Sequence, residues 1–93
     1  VERIRPIPRA RRLRYALTLV VHDAGQPMTL GQMQAAAERM GIEVPGRPSK
    51  AISDGLRWEV RKGRLVRLGR GRYGPGHVPR STLHGIRQQV QSG

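Results

Sequence analysis

Apolar residues take up a helical period from about Arg9. Leu13, Leu17, Val20, Val21 and Ala24 fall at i, i+4, i+7, i+8 and i+11 and form one stripe. Gly25, with Pro27 behind it, stops this first helix. Thr29-Leu30-Gly31-Gln32 has the form of a capping box, in which the threonine hydroxyl and glutamine amide satisfy free backbone groups at a helix start. The second helix it opens is expected to turn Leu30, Met33, Ala37 and Met40 inward and to end at Gly41, with Ile42 and Val44 reaching the core from the next loop. Pro45-Gly46-Arg47-Pro48 breaks the chain, and Pro48 suits the first turn of a third helix. At about 100° per residue, Ile52, Leu56 and Val60 cluster on one side of that helix. Lys50, Asp54, Arg57 and Arg61 share an arc of about 60° on the other, and Gly63 ends the helix.

The period then changes. Arg64-Leu65-Val66-Arg67-Leu68 reads as a strand, Gly69-Arg70-Gly71 as a turn and Arg72-Tyr73-Gly74 as a short returning strand. Pro75 to Pro79 has the composition of a linker. A last short helix is expected from near Ser81, with Leu83, Ile86 and Val90 on one face. That stripe either packs back on the first helix or pairs two copies into a homodimer. Before all of these, Pro6 and Pro8 stand among arginines and predict an extended or disordered arm. The division is thus a flexible basic arm at 1–8, a folded unit at 9–74, a linker at 75–80 and a C-terminal helix at 81–91. The fold class is mainly α with a small β-hairpin. Three helices followed by a basic hairpin is the order of a winged helix-turn-helix, here with an extra C-terminal helix. In that arrangement the third helix presents its polar face to a DNA major groove, with the first two behind it and the wing reaching backbone or minor groove.

A chain of 93 residues builds one small core. It has no cysteine and no apolar run longer than three residues, which excludes a disulfide scaffold and a helical membrane span. No charged-then-apolar segment opens the sequence, so a cytoplasmic location, at the nucleoid, is expected. The net charge is +12, and it is segregated: residues 1–14 carry +5, residues 15–46 carry −2 and residues 47–93 carry +9. A merely solubilising surface mixes its signs. A basic arm and a basic C-terminal half beside a slightly acidic middle are the footprint of a polyanion-binding face. Arginine outnumbers lysine sixteen to two. That excess suits bidentate phosphate and guanine contacts, and it equally suits a GC-rich genome.

Residues Leu17 to Gly74, 58 of the 93 positions, resemble the HARE-HTH winged-helix domain of chromatin-associated proteins and restriction-modification systems. The resemblance rests on Ala24-Gly25-Gln26-Pro27-Met28-Thr29 and on the alanine-rich second helix ending Arg39-Met40-Gly41. Its most specific block is Leu68-Gly69-Arg70-Gly71-Arg72-Tyr73-Gly74 at the wing. The chain departs from it at Arg47-Pro48-Ser49, where a Thr-Pro start belongs, and at Gly55 within the third helix. The resemblance implies duplex DNA binding as an accessory domain without catalysis.

The expected DNA-contacting residues are Arg47, Ser49, Lys50, Ser53, Arg57 and Arg61 at the third helix, and Arg64, Arg67, Arg70 and Arg72 at the wing. Arg9 and Arg12 add charge from the arm and the start of the first helix, by minor-groove insertion or by loose phosphate contact. Asp54 either pairs with its basic neighbours or accepts from a cytosine amino group. Trp58 either anchors the wing against the third helix or packs on sugar or base, while Tyr73 is expected in the core.

Weaker motifs fall away on context. Gly69-Arg70-Gly71-Arg72-Tyr73-Gly74 spells G-x-G-x-x-G, but proline follows it and no helix N-terminus stands ready for a pyrophosphate. Gly46-Arg47-Pro48 lacks the leading arginine of an AT-hook. His22, His77 and His84 lack metal-site spacing, and no serine lies in a nucleophile motif. No enzyme activity, metal or cofactor is therefore expected. Two other classes fit the charge: an RNA-binding or ribosome-associated protein, disfavoured by only three aromatic residues, and a winged helix that docks an acidic protein.

Overall fold

The computed structural model of the chain describes residues 8–44 and 46–92, the side chains of Pro48, Ser49 and Ser92 excepted. The arm expected at 1–8 lies outside these residues apart from Pro8. Seven elements follow one another: α1 (Arg9–Ala24), β1 (Met28–Thr29), α2 (Leu30–Arg39), α3 (Pro48–Arg61), β2 (Leu65–Gly69), β3 (Arg72–Pro75) and α4 (Arg80–Ser92). The fold is mainly helical, with a small three-stranded antiparallel sheet in the order β1-β3-β2.

Helix α1 is the centre of the molecule and is buried over more of its circumference than one stripe. Ala16, Thr18 and Leu19 are buried together with the expected Leu13, Leu17, Val20 and Val21, because α2, α3, α4 and β3 all pack on it. Ala24 of the expected stripe is exposed, since the helix ends there at Gly25. The capping box at the start of α2 is formed as expected: the Gln32 backbone N–H donates to Thr29 Oγ1 at 3.2 Å and the Thr29 N–H to Gln32 Oε1 at 2.9 Å. Met33 and Ala37 enter the core; Met40, expected there, stays 39% exposed at the helix end.

Two helices end in the same way, in a Schellman motif. In α2 the Gly41 N–H bonds the Glu38 carbonyl and the Ile42 N–H the Ala37 carbonyl; in α3 the pairs are Gly63 to Val60 and Arg64 to Glu59. Both glycines take positive φ, 81° and 78°, which L side chains resist. The motif swings the residue after the glycine back against the helix. After α2 that residue is Ile42, which fills the core in place of Met40. After α3 it is Arg64.

Gly55 has a packing role within α3. A Cβ there would lie 3.0 Å from Cγ of Arg14, so glycine lets α1 and α3 approach closely. The two-residue β1 was not expected from the sequence. It pairs Met28 with Tyr73 and Thr29 with Arg72, and so ties the hairpin to the α1–α2 junction. A bulge at Leu68 offsets β2 against β3, and Leu68 and Val66 face outward, 55% and 42% exposed.

The segment after β3 is held rather than slack: Gly76 and His77 donate backbone N–H groups to the Arg64 and Gly63 carbonyls, each at 3.0 Å. Helix α4 then returns to α1. Ile86 and Val90 are buried and Leu83 partly so, Arg12 Nε donates to the Val90 carbonyl at 3.2 Å, and Arg87 grips Asp23 through both terminal nitrogens. The apolar stripe of α4 is therefore covered within the chain, and pairing two copies through it requires α4 to leave α1.

Candidate nucleic-acid interface

The chemistry of α3 depends on which of its residues turn inward. Ile52 and Leu56 are buried, Val60 is half-buried, and Glu59 is fully buried with them. A buried carboxylate without partners is costly, so Glu59 gathers them. Arg64 donates from Nε to Glu59 Oε1 and from a terminal nitrogen to Oε2, both at 2.8 Å; Thr18 Oγ1 donates to Oε1 at 2.6 Å. Arg14 Nε stands 3.8 Å from Oε2 without a hydrogen bond of its own. The hydrogen bonds that Arg64 donates to Glu59 hold its guanidinium above the ordinary arginine pKa, against the lowering effect of burial. His22 Nε2 donates to the Arg64 carbonyl at 2.8 Å, so side chain and backbone of Arg64 are both fixed at the root of the hairpin.

Arg64 was expected to meet DNA, and the structure assigns it elsewhere. Its side chain is 19% exposed, and one edge of its guanidinium, Nε with a terminal nitrogen, is engaged by both oxygens of Glu59. Arg12, likewise expected as a contact, is half-buried and holds α4 through Val90. Trp58 lines the α1–α3 groove and not the groove between α3 and the hairpin. It sits on the α1 side of α3, with the Arg14 guanidinium 4.9 Å and the Lys62 ammonium 5.3 Å from its ring centre.

The outer face of α3 is different. Arg57 and Arg61 are exposed, and no carboxylate of the described residues stands within ion-pair distance of either. Lys50 and Asp54 form an exposed i,i+4 pair at 3.1 Å, one of the two roles open to Asp54. Arg67, Arg70 and Arg72 on the hairpin, Arg47 before α3, and Arg9 at the start of α1 are exposed and also unpaired among the described residues. The side chain of Ser49 lies outside the described residues. A groove of about 390 Å³ joins the helix to the hairpin, lined by Ser53, Arg57, Val60, Arg67 and Tyr73. Tyr73 packs against the core and also floors this groove. The strand register explains the meeting. Arg67 is directly opposite Tyr73, and directly paired residues share a sheet face.

Two features escaped the sequence reading. The partnership of Glu59 and Arg64 was legible in principle: once Gly63 is taken as the residue after the helix cap, the Schellman motif places positions 59 and 64 side by side. The buried Thr18 carries no such signal, because a threonine facing a core carboxylate looks like any other helix threonine. Among the described residues, no three His, Asp or Glu side chains gather in a metal-binding group, and no helix is long and apolar enough to cross a membrane. Comparison with family models, with curated proteins and with solved structures finds no match.

Proposed function

We propose that this chain is a winged helix-turn-helix domain that binds double-stranded DNA, with α3 in the major groove and the β2–β3 hairpin as the wing on backbone or minor groove. Among winged helices, the HARE-HTH family is the one Leu17–Gly74 resembles. The element order supports the reading, because β1 between α1 and α2 pairs with β3 and completes a sheet in which β2 of the hairpin is the outer strand. The observation that carries it is the sorting of charge. Arg64 is paired to the buried Glu59 and Arg87 to the exposed Asp23, while Arg57, Arg61, Arg67, Arg70 and Arg72 stay exposed and unpaired among the described residues. Arg57 and Arg67 meet in one groove, where a helix residue and a wing residue face the same duplex.

The roles divide by position. Arg57, at the wing-side edge of the exposed arc, is the base reader, with its planar fork suited to guanine O6 and N7. Arg67, Arg70 and Arg72 hold phosphates, and Arg47 and Arg61 extend that contact along the helix. The test is fluorescence anisotropy against labelled duplex DNA and matched single-stranded RNA at low salt. Tighter binding to the duplex supports the reading. Equal or tighter binding to RNA moves the basic face to RNA, and binding to neither leaves it to an acidic protein.

A further inference from the structure

Helix α3 is flanked by two grooves, and the proposed DNA contacts use only the one toward the wing. The second lies between α3 and the start of α1. It encloses about 490 Å³, and Arg9, Leu13, Arg14, Asp54, Gly55 and Trp58 help to line it. Around the helix, Ser53, Arg57 and Val60 on the wing flank stand about 150° from Ala51, Gly55 and Trp58 on the other. Lys50 and Arg61 project between them. The exposed arc of α3 therefore has a concave wall on each side.

A major groove has the same form in relief. It is about 12 Å wide, admits one helix, and is bounded by the sugar-phosphate backbones of both strands. We infer that the α1–α3 groove is a second backbone site: it takes the strand opposite the one held by the wing, with Trp58 against deoxyribose and Arg9 on the adjacent phosphate. This rests on the duplex-binding reading and extends it to a site on the far side of α3.

Four observations converge on this groove. Trp58 is 41% exposed, unusual for the chain's single tryptophan. Its ring is held by Arg14 and Lys62, so it is pre-set rather than loose. Arg14 and Arg64 bring two guanidinium groups to the one Glu59 carboxylate, which leaves this flank net positive. Asp54, the one carboxylate in the lining, is already engaged by Lys50. A largely apolar wall with an arginine at its rim fits a sugar with its phosphate better than a bare anion.

The lone tryptophan reports on its own site. Trp58 emission and its quenching by acrylamide are followed while fluorescein-labelled duplex binding is read by anisotropy in parallel. Binding is expected to change the emission and to shield Trp58 from acrylamide. Trp58→Ala is expected to weaken duplex binding about three- to tenfold without altering its salt dependence, and Trp58→Phe to restore most of the loss. Arg9→Ala is expected to make the salt slope shallower by about 0.9. Saturation by anisotropy while Trp58 keeps the emission and acrylamide accessibility of the free protein overturns the second site and leaves the first intact. No binding in the anisotropy channel overturns both.

Discussion

Arg64 and Arg67 stand three residues apart at the start of the hairpin and have opposite fates. Arg64 follows the glycine that ends α3 and is folded back onto Glu59, with its charge neutralised and its side chain mostly covered. Arg67 is exposed, opposite Tyr73, and shares a groove with Arg57. Identical side chains thus have different surroundings: one ties the hairpin root to α3 and α1, the other is exposed and unpaired among the described residues, free for the phosphate contact proposed for it. Counting arginines overstates an interface wherever a buried carboxylate has claimed one of them.

The largest effect expected from this contrast is on stability. Arg64→Ala leaves Glu59 buried with weaker partners and is expected to cost about 3–5 kcal/mol in chemical denaturation. Arg67→Ala, at an exposed site, is expected to stay within about 0.5 kcal/mol of the wild type. Equal stabilities of the two variants would erase the distinction. Replacing both members of the buried pair, Glu59→Leu with Arg64→Met, is expected to recover much of the loss, since an apolar pair of similar volume needs no desolvated charge.

Next in size are the effects on binding. Arg57→Ala is expected to cost about 1–3 kcal/mol and to relax preference at one base pair, in a competition assay across duplexes with single substitutions. Arg70→Ala is expected to weaken all duplexes alike. A uniform loss for Arg57→Ala as well would demote it from reader to phosphate contact. The smallest effect belongs to the exposed pair on the same helix. Lys50→Ala is expected to cost about 0.3–0.5 kcal/mol of stability, screened by salt. A loss above about 1 kcal/mol, measured by thermal denaturation, would show that the pair holds more than itself.

Local signals in the sequence were strong wherever one residue type sets the backbone. Gly25, Gly41 and Gly63 marked the helix ends, Thr29 with Gln32 marked a start, and Pro48 opened α3. The hairpin was legible from its change of period, and so was the exposed arc of α3. What failed depended on neighbours distant in sequence. A strand of two residues has no alternation to read, so β1 stayed hidden until β3 was placed beside it. Burial around α1 exceeded its apolar stripe because four elements surround it, and Thr18 went inward to meet Glu59. Trp58 lies at the border of two faces, where a wheel cannot say whether α1 or the wing is the neighbour. Of the expected contacts, Arg64 is taken up by the Glu59 carboxylate and Arg12 by the neutral Val90 carbonyl: the sequence shows where charge is, and only the fold shows what engages it.

The most direct measurement is the salt dependence of duplex affinity, as the slope of log K against log salt concentration. About five to eight phosphate contacts from the exposed arginines give a slope of about −4.5 to −7. Arg67→Ala is expected to make it shallower by about 0.9, while Arg64→Ala, if folded under the assay conditions, leaves it unchanged. A wild-type slope shallower than about −2, or equal changes in slope for the two variants, would contradict a basic face built for DNA.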